Sequence, residues 1–183
     1  MATAEALMTA EEFEQLPDNG SLCELIRGRI IPVNMPAPRH GQICASIVVL
    51  VGAFVTERRL GVLVCNDSGI VTQRDPDTVR GADVAYYSYA RVPSGPLPKG
   101  YLKVAPELVF EVRSPGDPWR DIHEKVVEYL DAGVTIVCVV DSTPEAIHVF
   151  SLNKPVRIVK GDETLTLPEV LGDFQLPVQR LFE

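Results

Sequence analysis

The chain has 183 residues, of which 46% are hydrophobic and 23% are charged, and its formal net charge is −8. This length allows one domain with a hydrophobic core, and we expect a single domain over residues 1–183. The negative charge argues against broad, non-specific nucleic-acid binding, which needs a basic surface, but is compatible with a local basic groove or an acidic cation site. No apolar run approaches the length of a membrane span, so we expect no membrane partner.

Four scattered cysteines indicate the compartment of the protein. None forms a Cys-x-x-Cys pair, and all lie in apolar-rich sequence, at positions 23, 44, 65 and 138. This pattern is typical of reduced core residues in a cytoplasmic protein. The first residues carry acids where a secretory signal carries basic residues, so we expect no such signal.

The front half of the chain predicts a capped helix, a turn, a hairpin and a long amphipathic helix, at residues 9–16, 17–20, 22–33 and 39–58. Thr9 and Glu12 form a capping box that opens the first helix. The pair Arg27-Gly28 separates two apolar runs and is typical of a hairpin turn. Apolar residues recur at helical spacing in the long helix, which places its polar residue His40 on the same side as Ile43.

The middle of the chain predicts short strands joined by loops, with strands at residues 62–65, 70–73 and 83–88 and loops at 75–78 and 92–100. Asn66-Asp67 predicts a turn between the first two strands. Asp83 is the first residue of the third strand in this interpretation.

The segment 106–140 is the best-defined unit, since an apolar strand at 108–112 precedes a helix at 117–132 and a second apolar strand at 134–140. This order predicts parallel pairing of the two strands. Hairpin strands and a closing segment follow. The fold class is therefore α/β, with a mixed sheet flanked by helices, an antiparallel front half and a parallel centre.

Three charged residues are candidates for metal-assisted chemistry. Glu111 interrupts an apolar strand, where a carboxylate is costly unless it is paired or binds a cation. Asp83 lies on another strand, and two acids on neighbouring strands can hold a hard divalent cation. Lys125 on the following helix could orient a water or stabilise charge on a phosphate.

The sequence resembles the PD-(D/E)XK nuclease superfamily, in particular the bacterial family described as putative restriction endonucleases. The resemblance rests on the segments CELIRGRIIPVNMPAPRHGQI, RGADVAYYS, APELVFEVRSPGD and HEKVVEYLDAGVTIVCVVD. It implies a restriction-endonuclease-like fold, signature acids at Asp83 and Glu111, and a lysine displaced onto the helix at Lys125. It also implies a front glutamate at Glu24 and a histidine at His40, and we expect one of these two residues to tune the protonation of the attacking water. The implied activity is hydrolysis of DNA phosphodiester bonds with Mg²⁺ or Mn²⁺. Cutting both strands of duplex DNA would need two active sites, so we expect a homodimer.

Several positions depart from the family pattern or have simpler interpretations. Arg113 stands at the literal third position of the signature, where it either contacts a phosphate or pairs with Glu111. Lys125 could instead pair with Asp121 one turn away. Glu24 could be a solvent-facing strand acid beside Arg27 or Arg29. Tyr129 is interpreted as a packing residue and Trp119 as a residue that covers the core. His123 and His148 are interpreted as surface residues.

A rival function is a catalytically silent nuclease-fold module for binding or assembly, which uses its acidic surface for a protein partner. The net charge of −8 favours this rival, and the acid–acid–lysine set favours the enzyme. A nucleotide-binding domain is poorly supported, because the chain contains neither a Gly-x-Gly-x-x-Gly nor a P-loop motif.

Overall fold

The computed structural model describes residues 6–17 and 20–183 of the chain. The predicted turn at 17–20 therefore falls partly on residues outside the described ones. Eight strands form one sheet within the described residues: β1 (Cys23–Ile26), β2 (Arg29–Pro32), β3 (Gly61–Gln73), β4 (Thr78–Ser88), β5 (Leu108–Arg113), β6 (Ile136–Asp141), β7 (Ala146–Phe150) and β8 (Arg157–Lys160). The helices are α1 (Ala10–Glu14), α2 (Pro38–Glu57), α3 (Trp119–Asp131) and α4 (Pro168–Leu171). A two-stranded sheet of β9 (Thr164–Thr166) and β10 (Gln175–Pro177) and a 3-10 helix (Val178–Leu181) complete the chain.

The main sheet is mixed, in the order β2-β1-β4-β5-β6-β7-β8, and β3 also pairs with β4. The pairing of β5 with β6 is parallel, as predicted, because α3 connects them across one face of the sheet. The other pairings are antiparallel. The predicted capping box of α1 is also confirmed, with Thr9 as the N-cap and Glu12 at N3.

Two helices cover opposite faces of the sheet. The buried side of α2 packs on the face that carries Phe110 and Cys138, together with the C-terminal elements. The buried side of α3 packs on the face that carries Val109 and Val137. Side chains of a strand alternate between the two faces, so β5 and β6 bury apolar residues on both faces. The predicted class, a mixed sheet flanked by helices, is confirmed.

The predicted turn at Asn66-Asp67 is wrong. These residues lie inside β3, where the register with β4 shifts between Cys65 and Ser68, and both have positive φ angles of 65° and 53°. Such a bulge accommodates turn-forming residues without ending the strand. β4 likewise begins at Thr78, so Asp83 lies in the middle of its strand and not at the start.

Two expectations from composition need correction. α2 contains no Lys, Arg, Asp or Glu between its second position and its last, and it has the length and composition of a membrane span, contrary to our expectation. One such helix is weak evidence, because a core helix passes the same test. The four cysteines are free, but Cys65 is exposed beside the bulge and only Cys138 is fully buried.

Candidate active site

The candidate site lies at a fork in the sheet. One edge of β4 pairs with β3, and the opposite edge is shared by two strands. β1 pairs with this edge at Val79, and β5 pairs with it over Val84–Tyr86. Residues 80–83 therefore lie between the two partner strands. Because no strand of the described residues pairs with this edge of β4 there, side chains of neighbouring strands can bind its backbone. The amide of Gly81, for example, donates to Glu24 Oε1 at 3.2 Å.

A cleft of about 1420 Å³ opens at this fork. It is lined by the five residues that the sequence analysis singled out for catalysis: Glu24, His40, Asp83, Glu111 and Lys125. Each comes from a different element, in order β1, α2, β4, β5 and α3. The fork explains their convergence, because it brings three strands and two helices to one point.

Asp83 is held from two sides. Its Oδ2 accepts a hydrogen bond from the amide of Val112 at 2.6 Å, just beyond the last paired residues of β4 and β5. His40 Nε2 lies 3.3 Å from the same oxygen, and its Nδ1 lies 3.5 Å from Cys44 Sγ. The hydrogen bond with Asp83 raises the pKa of His40 to about 10. The imidazole is therefore a cation that fixes the acid.

Glu111 is a buried carboxylate with two unlike neighbours. Only 5% of the residue is exposed. Tyr129 donates its hydroxyl hydrogen to Oε1 at 2.7 Å, and Lys125 Nζ lies 3.7 Å from Oε2. Burial raises the pKa of Glu111 to about 7, although the Lys125 ammonium opposes this. A divalent cation at this position would favour the ionised form.

Lys125 points into the cleft and does not pair with Asp121. Its Nζ lies 2.9 Å from Glu24 Oε1 as well as 3.7 Å from Glu111 Oε2. Burial lowers the pKa of a lysine, but Glu111 and Glu24 outweigh this and raise the pKa of Lys125 above its ordinary value. Lys125 is thus an ammonium donor at neutral pH.

Glu24 is buried and not solvent-facing, with 4% exposed. Its partners are Arg80 Nη1 at 2.8 Å and Lys125, where we had expected Arg27 or Arg29. Burial opposes ionisation, but Lys125 and Arg80 prevail and lower the pKa of Glu24. Arg80 also binds Glu128 through two nitrogens, at 2.6 and 2.9 Å.

Arg113 lies outside the lining of the cleft. Its Nη1 contacts both carboxylate oxygens of Asp141 at 3.1 Å, and its Nε donates to the Asp117 carbonyl at 3.0 Å. The guanidinium also lies 5.0 Å from the centre of the Trp119 ring. The expected pair with Glu111 does not form, because the parallel register places Asp141 beside Arg113.

Three residues of the site were missed from sequence. Arg80 precedes the strand predicted at 83–88 and was therefore not recognised as a charged residue inside a buried strand, whereas the structure places it within β4. Asp67 lines the cleft from the bulge of β3, which we had interpreted as a turn. Tyr129 contacts Glu111 directly, and its spacing of one turn from Lys125 is a signal that could have found it.

The donor atoms available in the cleft fit a hard divalent cation. Asp83 and Glu111 offer carboxylate oxygens, the ligand type that Mg²⁺ and Mn²⁺ prefer. A second possible set is softer and consists of His40, Cys44 and Asp83, whose ligand atoms lie within 4.8 Å of one another. Asp83 belongs to both sets.

The His40–Asp83 pair predicts a pH dependence of stability. Because the folded-state pKa of His40 is raised to about 10, its contribution is fully present below pH 6.5 and is lost as the pH rises towards 10. We expect the thermal midpoint of wild type to fall between pH 6.5 and 9.5 by more than that of His40→Asn. His123→Asn, which changes an exposed histidine of α3, should behave as wild type. Equal slopes for wild type and His40→Asn would contradict the pair.

Comparisons with known proteins identify the family and the fold of the chain. A family model described as Uma2, putative restriction endonuclease, matches residues 10–179. No curated protein matches the chain. A crystal structure described as a putative nuclease belonging to DUF820, from Anabaena variabilis ATCC 29413, is similar with a TM-score of 0.81 and 20% sequence identity, covering 96% of this chain and 97% of that chain. The expected restriction-endonuclease-like fold and the family resemblance are confirmed.

Proposed function

The chain belongs to the Uma2 family of putative restriction endonucleases, and from this premise we propose that it is a divalent-metal-dependent endonuclease that hydrolyses phosphodiester bonds of DNA. The observation that carries the proposal is the meeting of Asp83, Glu111 and Lys125 in one cleft at the fork of β4. We also propose a cytoplasmic location, and the sequence argument for it is that the four cysteines are scattered and form no Cys-x-x-Cys pair.

Asp83 and Glu111 would hold the cation. When bound, Mg²⁺ or Mn²⁺ supplies a polarised phosphate oxygen and a water with a lowered pKa. The chain prepares both acids for this role, since the Val112 amide and His40 fix Asp83 and the hydroxyl of Tyr129 fixes Glu111.

Lys125 would bind the scissile phosphate and offset the charge that develops on it. Its raised pKa keeps it protonated, so it acts as a hydrogen-bond donor and not as a base. Glu24 orients this ammonium at 2.9 Å, and Arg80 holds Glu24 in turn. Glu24 is therefore proposed as a positioning residue, and His40 as the residue that orients Asp83.

Replacing Lys125 tests the proposal. We expect Lys125→Met to reduce Mn²⁺-dependent cleavage of supercoiled plasmid DNA by about 10²- to 10³-fold, the usual cost of removing one donor that stabilises transition-state charge. Methionine preserves most of the side-chain volume and removes the charge. Lys154→Met, which removes an exposed lysine paired with Glu169, should cleave as wild type. Equal cleavage rates for the two variants would refute the role of Lys125.

We further propose that the enzyme acts as a homodimer, since cutting both strands of a duplex requires two sites related by symmetry. Small-angle scattering across a hundredfold range of protein concentration should then give the molecular mass of two chains. The mass of a single chain throughout that range would contradict the proposed dimer but not the proposed role of the cleft residues.

A second candidate function is a binding or assembly module with a protein partner, and the charge of the cleft favours it. Among the described residues that line the cleft, eight acids face four Lys or Arg residues: Glu24, Asp67, Asp83, Glu111, Asp117, Asp121, Glu124 and Glu128 against Arg27, Arg80, Arg120 and Lys125. A bound dication would reduce this excess of negative charge. The nuclease requires such an ion and the binding module does not, so metal binding distinguishes the two functions. A rise in thermal midpoint with millimolar Mn²⁺ supports the nuclease, and an unchanged midpoint supports the module.

A further inference from the structure

Two side chains of α3 converge on one carboxylate. Lys125 and Tyr129 are four residues apart, so they project from the same face of the helix on successive turns. Tyr129 contacts Glu111 Oε1 and Lys125 approaches Oε2. The two oxygens of Glu111 are therefore distinguished by their neighbours.

The contact of Tyr129 with Glu111 lies inside the protein. Tyr129 is 0% exposed, and its ring packs in the apolar cluster between the sheet and α3 with Val109, Val126 and Val137. A close-packed ring has little freedom to turn, so its hydroxyl stays directed at Oε1. A buried carboxylate oxygen needs a donor, and the hydroxyl provides one at 2.7 Å.

We propose that Tyr129 is a positioning residue that holds Glu111 by Oε1, so that Glu111 presents only Oε2 to a cation in the cleft. Lys125 Nζ lies 3.7 Å from Oε2, and its shorter contact is with Glu24 at 2.9 Å. This oxygen is thus less firmly held than Oε1. The inference rests on the proposed function to the extent that Glu111 is a metal ligand.

The hydroxyl can be separated from the packing of the ring. Tyr129→Phe keeps the ring and removes the donor, so Glu111 can rotate or present either oxygen. Loss of a group that orients a metal ligand typically weakens metal binding by about 10- to 100-fold. We expect this decrease in Mn²⁺ affinity for Tyr129→Phe in calorimetric titration of the full chain.

Tyr86→Phe is the matched control. Tyr86 is also a buried tyrosine, 3% exposed, and its hydroxyl donates to the Leu60 carbonyl at 3.3 Å on the other face of the sheet. The control loses one hydroxyl hydrogen bond but should bind Mn²⁺ as wild type. Equal affinities for Tyr129→Phe and Tyr86→Phe would overturn the inference.

The outcomes separate this inference from the proposed function. If wild type cleaves DNA and Tyr129→Phe binds Mn²⁺ normally, the inference fails and the nuclease stands. If Tyr129→Phe and Glu111→Gln both weaken Mn²⁺ binding but wild type cuts no DNA, the inference stands and the nuclease fails. If wild type binds no Mn²⁺, both fail.

If Tyr129→Phe does not fold, a crystal structure of the wild-type protein grown with Mn²⁺ shows which oxygen of Glu111 binds the ion. The ion bound through Oε2 alone, with Oε1 still on the Tyr129 hydroxyl, is the expected result. Coordination by both oxygens of Glu111, or by Oε1, would overturn the inference.

Discussion

Glu111→Gln should lose Mg²⁺- or Mn²⁺-dependent DNA cleavage by about 10³-fold or more, because a bound cation contributes several kcal/mol to the transition state and each 1.36 kcal/mol is about tenfold in rate. The same variant should fold as wild type. Burial raises the pKa of Glu111, so the neutral amide removes a charge that the folded protein disfavours. Tyr129 can still donate to the amide oxygen. Lost cleavage without lower stability is therefore the expected combination.

Glu107→Gln is the control for this variant. Glu107 precedes β5, is largely buried, and pairs with Arg91 and Ser88 outside the cleft. Cleavage of plasmid DNA and thermal unfolding should be measured on both variants, each purified by the same procedure. Cleavage by Glu111→Gln at the rate of Glu107→Gln would show that Glu111 is not a ligand of the reacting cation.

Arg80→Ala should destabilise the fold by about 3–5 kcal/mol, the cost of breaking a buried ion pair by removing one partner. Arg80 is 6% exposed and joins Glu24 at 2.8 Å to Glu128 at 2.6 Å. Without it, the buried Glu24 carboxylate keeps Lys125 as its main charged partner. Urea unfolding gives the change in the free energy of unfolding.

Arg58→Ala provides the comparison for Arg80→Ala. Arg58 pairs with Asp173 at 2.9 Å on the surface, with 48% and 70% of the two side chains exposed. Such a pair contributes about 0–1 kcal/mol. A loss for Arg80→Ala no larger than that for Arg58→Ala would mean that the Glu24–Arg80–Glu128 network does not hold the fork together.

The sequence predicts best what local pattern controls. The unit from β5 through α3 to β6 was predicted in order and in pairing, because two buried strands joined by a helix pair in parallel through a crossover connection. The capping box and the long helix α2 were also confirmed, since both depend on neighbours within one or two turns.

The fork of the sheet could not be predicted, because it depends on which strands share an edge of β4. Asn66 and Asp67 have the composition of a turn, yet pairing with the long β4 keeps them in one strand as a bulge. That pairing also moves Asp83 from the start of a strand to its middle. No local signal distinguishes a turn from a bulge here.

Lys125 and Arg113 were predicted to pair with residues close in sequence, whereas in the structure both pair with residues distant in sequence. Lys125 pairs with Glu24 and not with Asp121, and Arg113 pairs with Asp141 and not with Glu111. A buried charged group pairs with an opposite charge that is buried beside it. The order of the strands in the sheet decides which residue that is.

The most direct measurement is the position of Mn²⁺ in crystals grown with the ion, found by its anomalous scattering. The expected result is a peak at about 2.0–2.3 Å from one carboxylate oxygen each of Asp83 and Glu111. A peak bound by His40, Cys44 and Asp83 with Glu111 out of reach would contradict the proposed site, as would a fully soaked crystal with no peak in the cleft.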